Sequence, residues 1–133
     1  MRRRGISVVE FALSLPVLLV LVAVIIEFGW YVSRTLVVSR AAHDAARYGA
    51  SVYEAPTSPP GTLSVPAAEG FALQILLGAG MPCGGGCTIS AHVDTSPFET
   101  IRVEVDYPYQ PIFGLVSIPR EIHYAFTTAV EAQ

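Results

Sequence analysis

The chain has 133 residues, room for one small folded unit besides a membrane helix. Hydrophobic residues make up 52% and charged ones only 14%, an imbalance concentrated in the N-terminal third. The formal charge of −3 conceals an asymmetry: Arg2, Arg3 and Arg4 are three of eight basic residues, and beyond them five arginines face eleven acids, a net of −6, so an acidic body without a basic patch argues against nucleic-acid binding.

The first element reads as one long helix from Ile6 to Tyr53. Its opening stretch, Ile6 to Ile26, is 21 residues interrupted by Ser7, Glu10, Ser14 and Pro16. As a helix it spans roughly 32 Å, about the thickness of a bilayer's hydrocarbon core. The arginine cluster before it is a positive-inside signal, which puts the N-terminus in the cytoplasm and exports the rest. After Ile26 come Glu27, Phe28, Gly29, Trp30 and Tyr31, bulky where a small-x-small cleavage site would lie. Retention of the helix is therefore expected, not removal as a secretory signal. Phe28 suits the outer headgroup layer, and Trp30 and Tyr31 are the candidate interface anchors there. Glu27 is expected at the same interface, near Arg34. Pro16 removes one helix hydrogen bond and is expected to bend the anchor. Glu10 is the misfit: a plain anchor has no need of a carboxylate, and a charge within the apolar run costs free energy.

From Arg34 onward the helix becomes amphipathic and alanine-rich. Leu36, Val37, Ala41, Ala45, Tyr48 and Val52 recur at helical spacing, with Arg40, Asp44 and Arg47 on the other side. This long amphipathic helix is the expected contact between subunits. Asp44 stands four residues after Arg40 and three before Arg47, which allows pairs of about 0.2–0.5 kcal/mol each.

A loop rich in proline, Glu54 to Thr62, ends the helix. A second helix is expected from Pro66 to Leu77, closed by Gly78 or Gly80, with Phe71, Ile75 and Leu76 as its buried stripe. Beyond it the period changes to two. Thr88 to Asp94 alternates, and Thr100 to Tyr107 does so more cleanly, with Ile101, Val103 and Val105 opposite Arg102, Glu104 and Asp106. Thr95 to Glu99 supplies the turn of an antiparallel hairpin. Glu121 to Val130 reads as a third strand with Ile122, Tyr124 and Phe126 alternating. The expected fold is α+β: a long N-terminal transmembrane helix continuing into an amphipathic helix, then a short helix packed on a small antiparallel sheet.

Cys83 and Cys87 flank three glycines, on the exported side of this topology. A structural disulfide between the second helix and the first strand is expected, contributing about 2 kcal/mol for so short a loop. A redox pair is the alternative, disfavoured by the spacing and by the lack of a thioredoxin-like parallel unit. Zinc would need two further ligands. His43, His92 and His123 fall in different elements and read as solvated or edge residues, so no metal site is expected.

Arg4-Gly5 followed by Val9-Glu10-Phe11-Ala12-Leu13, Pro16, a leucine and valine run, and Ile26-Glu27-Phe28-Gly29 resembles the TadE-like pilus-assembly family, of the tight-adherence (Flp) type IVb kind. The likeness extends through Ala41 to Ala50 and covers the C-terminal sheet only in outline. It implies a pilin-like pseudopilin or minor pilin, cut between Gly5 and Ile6 by a prepilin peptidase, with Glu10, Phe11 and Pro16 as the processing and assembly motif. The organisation then reads as a cytoplasmic leader (1–5), a transmembrane helix (6–27), a periplasmic continuation (28–53) and a small α+β periplasmic domain (54–133). The protein would sit in a bacterial inner membrane with a single pass, or enter the pilus.

Physical chemistry gives these parts a rationale. Gly5 disfavours helix, so the scissile bond can be extended just outside the apolar segment. Loss of Arg2 to Arg4 removes the charges that hold the helix at the inner face. Glu10 would then pair with the new amine of a neighbouring subunit in low dielectric, which selects the register between helices. The implied partners are the prepilin peptidase, other minor pilins, the major Flp-type pilin, and the inner-membrane platform with its secretion ATPase. The alternative is an unprocessed, membrane-anchored periplasmic or surface binding module. No nucleophile–base pair, phosphate loop or metal cluster is discernible, so neither enzymatic activity nor a cofactor is expected.

Overall fold

A computed structural model describes residues 3–52, 64–95 and 98–130, with side chains from Val8 onward. Helix α1 runs unbroken from Arg3 to Ser51, helix α2 from Ser64 to Gly78, and strands β1, β2 and β3 span Thr88–Asp94, Thr100–Pro108 and Glu121–Ala129. The protein is α+β, and α1 is long and apolar enough to cross a membrane. Tyr53, the loop from Glu54 to Thr62 and part of the Thr95–Glu99 turn lie outside the described residues.

At 49 residues α1 is about 73 Å long. It begins three residues earlier than expected and continues through Pro16. Its inner half makes little contact with the rest of the chain, so Val8 to Leu21 lie exposed. Its outer half forms the spine of the folded unit, against α2 on one side and β2 and β3 on the other.

The three strands form an antiparallel meander in the order β1-β2-β3. Val103 lies opposite Ala91 on one side and Phe126 on the other. Period two therefore places Ala91, Ile101, Val103, Val105 and Ile122 on the face covered by the helices. The outer face carries the polar set. There Arg102 pairs with Glu104 at 2.6 Å, and Thr88 Oγ1 donates to Asp106 Oδ2 at 3.1 Å.

Also on that face, His123 Nδ1 hydrogen-bonds the Asp106 carboxylate. This bond first, and then the negative charge of Asp106, raise the His123 pKa above its ordinary 6.5; Glu104 and Glu121 add to the rise and slight burial opposes it. A histidine whose folded pKa exceeds its unfolded one contributes stability that is complete below the unfolded value and is lost as pH climbs through the folded one. Asp106→Asn is therefore expected to flatten the melting temperature against pH above about 6.5, the ordinary histidine value. Thermal unfolding at stepped pH checks this, and a wild-type curve already flat there would contradict it.

Two packing expectations are corrected. The buried face of α1 beyond Arg34 comprises Val38, Ala41, Ala42, Ala45, Ala46 and Gly49, whereas Leu36 is 54% and Tyr48 42% exposed. Small residues win these positions because α2 and the sheet approach α1 closely. The alanine face is thus internal to this chain and is not free to meet another subunit. In α2 the buried stripe is Ser64, Ala68, Ala72 and Leu76, with Phe71 and Ile75 only half-buried. Phe71 instead stacks on Tyr48, ring centroids 4.6 Å apart. Asp44 accepts from its neighbour His43 at 3.0 Å rather than from Arg40 or Arg47.

Gly80 closes α2. Its φ of +69° is the left-handed value that glycine adopts without strain. Met81 N–H then donates to Leu76 C=O at 2.9 Å and Gly80 N–H to Leu77 C=O at 3.0 Å, a Schellman cap that delivers Met81 into the core.

Candidate functional site

Two regions of α1 carry chemistry beyond packing. The first is its N-terminal end. Gly5 and Ile6 are helical, in the first turns of α1. The extended local geometry that suits cleavage is therefore not the conformation present. Both residues fall among the first four of the helix, whose N–H groups have no intrahelical acceptor and which unwind most easily. Glu10 is exposed and is the only carboxylate between Val8 and Ile26; Phe11 beside it is 64% exposed. Pro16 is exposed, two residues after Ser14, whose hydroxyl donates to Phe11 C=O at 3.1 Å. Among the described residues, none of the folded unit covers Glu10, Phe11 or Pro16.

The second region lies where the apolar run of α1 stops, at Glu27. This side chain is fully buried. It does not meet Arg34, whose guanidinium stacks over the Trp30 ring at 4.3 Å. The loop between β2 and β3 folds over it instead. Gly114 N–H donates to Glu27 Oε1 at 2.9 Å and Leu115 N–H to Oε2 at 3.2 Å. Two consecutive backbone amides converge on one carboxylate because Gly114 takes a φ of +66°, which turns successive N–H groups the same way and makes an anion-binding nest. The burial of a carboxylate at this position is thereby compensated by two charge-assisted hydrogen bonds.

Tyr109 completes the joint. It is buried, its hydroxyl donates to the Glu27 backbone C=O at 3.5 Å, and its ring meets Tyr31 edge to face with centroids 5.1 Å apart. Burial, followed by the neighbouring Glu27 charge, pushes the Tyr109 hydroxyl above its ordinary pKa. Trp30 and Tyr31 consequently diverge: Tyr31 is half-buried against the folded unit, while Trp30 is 41% exposed. Cys83 and Cys87 are bonded, Cα atoms 5.2 Å apart, in the segment joining α2 to β1. Their glycine loop reaches the same end of the unit: Gly84 and Gly85 line a cleft with Trp30, Arg34, Tyr107 and Gln110.

Of the residues singled out in the sequence, the structure brings Trp30, Tyr31 and the disulfide loop to one end of the folded unit and leaves Glu10, Phe11 and Pro16 apart from it. Sequence reasoning put Glu27 at the helix exit but missed its partners. No sequence signal singles those partners out: the stretch from Tyr107 to Pro119 is uncharged, but so are residues 55–68 and 70–93.

Among known proteins, residues 5–47 match the family model described as TadE-like protein. The match covers roughly a third of the chain and lies wholly within α1. It contains Gly5, Glu10, Phe11, Pro16, Glu27, Trp30 and Tyr31, and stops short of α2 and the sheet. The likeness is to a structural, pilus-associated family. Neither the curated proteins nor the solved structures contain a match to the chain.

Proposed function

We propose that this chain is a pseudopilin or minor pilin of a tight-adherence pilus, processed between Gly5 and Ile6 by a prepilin peptidase and acting in pilus assembly and surface adhesion. The observation that carries the reading is the family match over residues 5–47, together with a lone carboxylate, Glu10, on the exposed apolar half of α1. Before cleavage, Arg2 to Arg4 hold the N-terminus at the cytoplasmic face and the folded unit lies in the periplasm. Cleavage removes those charges and creates an amine at Ile6. Glu10 of one subunit then pairs with that amine on the next. In an apolar bundle an uncompensated carboxylate is costly, so helices dock in the register that joins the two. Because α2 and the sheet already cover the alanine face, contacts between subunits use the apolar half of α1 and its exposed outer side, where Val32 and Leu36 lie. The peptidase, other minor pilins, the major Flp-type pilin and the platform with its ATPase are the partners this role requires.

Glu10→Ala tests the role. The variant is expected to insert into membranes like the wild type, as fractionation would show, and to abolish pilus-dependent surface attachment. Attachment at the wild-type level would overturn the assembly role and leave an anchored binding module.

A further inference from the structure

We propose that the loop between β2 and β3 lies in the lipid headgroup layer on the side where α1 leaves the membrane, with Ile112, Phe113 and Leu115 inserted among the lipids. This rests on the reading of α1 as a membrane anchor. It goes beyond that reading by giving the folded unit its own contact with the bilayer.

The first ground is depth. The backbone of Gly114 and Leu115 is bonded to the side chain of Glu27, the residue that follows the apolar run from Ile6 to Ile26. Tyr109 ties the start of the same segment to the Glu27 carbonyl and to Tyr31. The loop is therefore held at the level where a spanning α1 passes from hydrocarbon to headgroups. The second ground is composition. Ile112 is 50%, Phe113 52% and Leu115 54% exposed, and neither they nor any residue from Tyr107 to Pro119 carries a charge. Clustered exposed apolar side chains of this size mark an interaction surface. The third ground is continuity. Ile25, Ile26 and Phe28 of α1 are 61%, 50% and 58% exposed at the same level, and Trp30 stands just above them. Aromatic and aliphatic side chains at this depth partition into the interface. Lipid is the occupant that suits the α1 side chains and the loop together, since the loop is pinned beside a segment that lipid already surrounds.

The clamp on Glu27 explains how an acidic residue is tolerated here. Its charge is bonded to the very loop that enters the headgroups, so insertion leaves no uncompensated carboxylate.

Depth-dependent fluorescence quenching tests the proposal. Trp30 is the only tryptophan, so the full chain carrying Trp30→Phe accepts single reporters. The protein is reconstituted into phosphatidylcholine vesicles whose lipids are brominated either near the headgroup or at mid-chain. Phe113→Trp and, independently, Leu115→Trp are expected to be quenched most by the shallow bromines. Val20→Trp in α1 should be quenched most by the mid-chain ones. Phe98→Trp, at the opposite end of β2 from Tyr109, should be quenched by neither. Adding Glu27→Ala should weaken quenching of the loop reporters and leave Val20→Trp unchanged. If Val20→Trp is quenched and both loop reporters are not, the proposal is overturned while the anchor stands. Loop reporters deaf to bromine yet shielded from aqueous iodide would also overturn it, by showing a protein partner there. Failure of Val20→Trp to be quenched would overturn the anchor and the proposal together.

Discussion

Glu27→Ala is expected to detach the β2–β3 loop from α1 and to lower the stability of the folded unit by about 3 kcal/mol, two hydrogen bonds to a charged acceptor at about 1.5–3 kcal/mol each, less what the freed amides recover from water. The Gly114 and Leu115 amides now donate to Glu27 Oε1 and Oε2. Without the carboxylate they lose their acceptor within the protein and turn to water, and the Tyr31–Tyr109 contact loses its backing. Amide hydrogen exchange in detergent micelles reads the change directly: Gly114 and Leu115 should move from protected to fast exchange. Glu27→Gln should fall between, because it keeps one oxygen acceptor and turns an NH2 group toward the second amide. Unchanged protection at both amides in Glu27→Ala would mean that the loop is held by its apolar residues alone.

Substitution of glycine by alanine at two helical positions should have opposite signs. A Cβ at Gly49 would stand 2.5 Å from Ile101 Cδ1, 2.9 Å from Ala68 Cβ and 3.2 Å from Ser64 C=O. The tip of Ile101 can rotate away, but the other two atoms are fixed to α2, so the helices must separate. Overpacking of this kind costs about 1–3 kcal/mol, and the better helix propensity of alanine returns only up to about 1 kcal/mol. Gly49→Ala should therefore destabilise by roughly 1–2 kcal/mol. At Gly70, in α2, a Cβ meets nothing within 4 Å. Propensity acts there unopposed, and Gly70→Ala should stabilise by about 0.5–1 kcal/mol. Thermal unfolding of the two variants under one set of conditions gives both signs. A neutral Gly49→Ala would show that α2 can shift freely on α1.

Legibility followed the range of the interactions. Strands were readable because alternation is local: Ile101, Val103 and Val105 face the helices as their spacing requires, and β2 runs only one residue further than expected, to Pro108. The α+β class and the existence of α1 and α2 follow from equally local patterns. The buried faces of the helices did not. A search for large apolar residues selects Leu36, Tyr48 and Phe71, whereas a close helix crossing selects Ala42, Ala46, Gly49, Ala68 and Ala72, whose merit is visible only with the partner in place. Glu27 was harder still, because its donors lie 87 and 88 residues further along the chain. The motif around Gly5, Glu10 and Phe11 was the reverse case. It is conspicuous in the sequence, and among the described residues Glu10 and Phe11 lie exposed, in keeping with the proposed role of meeting a peptidase and a neighbouring subunit.

The processing step is the claim on which the assembly role stands, and the intact mass of the membrane-extracted protein tests it most directly. In cells with an active prepilin peptidase, the mature chain should begin at Ile6, free of Arg2, Arg3 and Arg4, and should revert to the full-length form when the peptidase is inactivated. A chain that keeps Met1 to Gly5 in the presence of the active peptidase would contradict the assembly role at its first step.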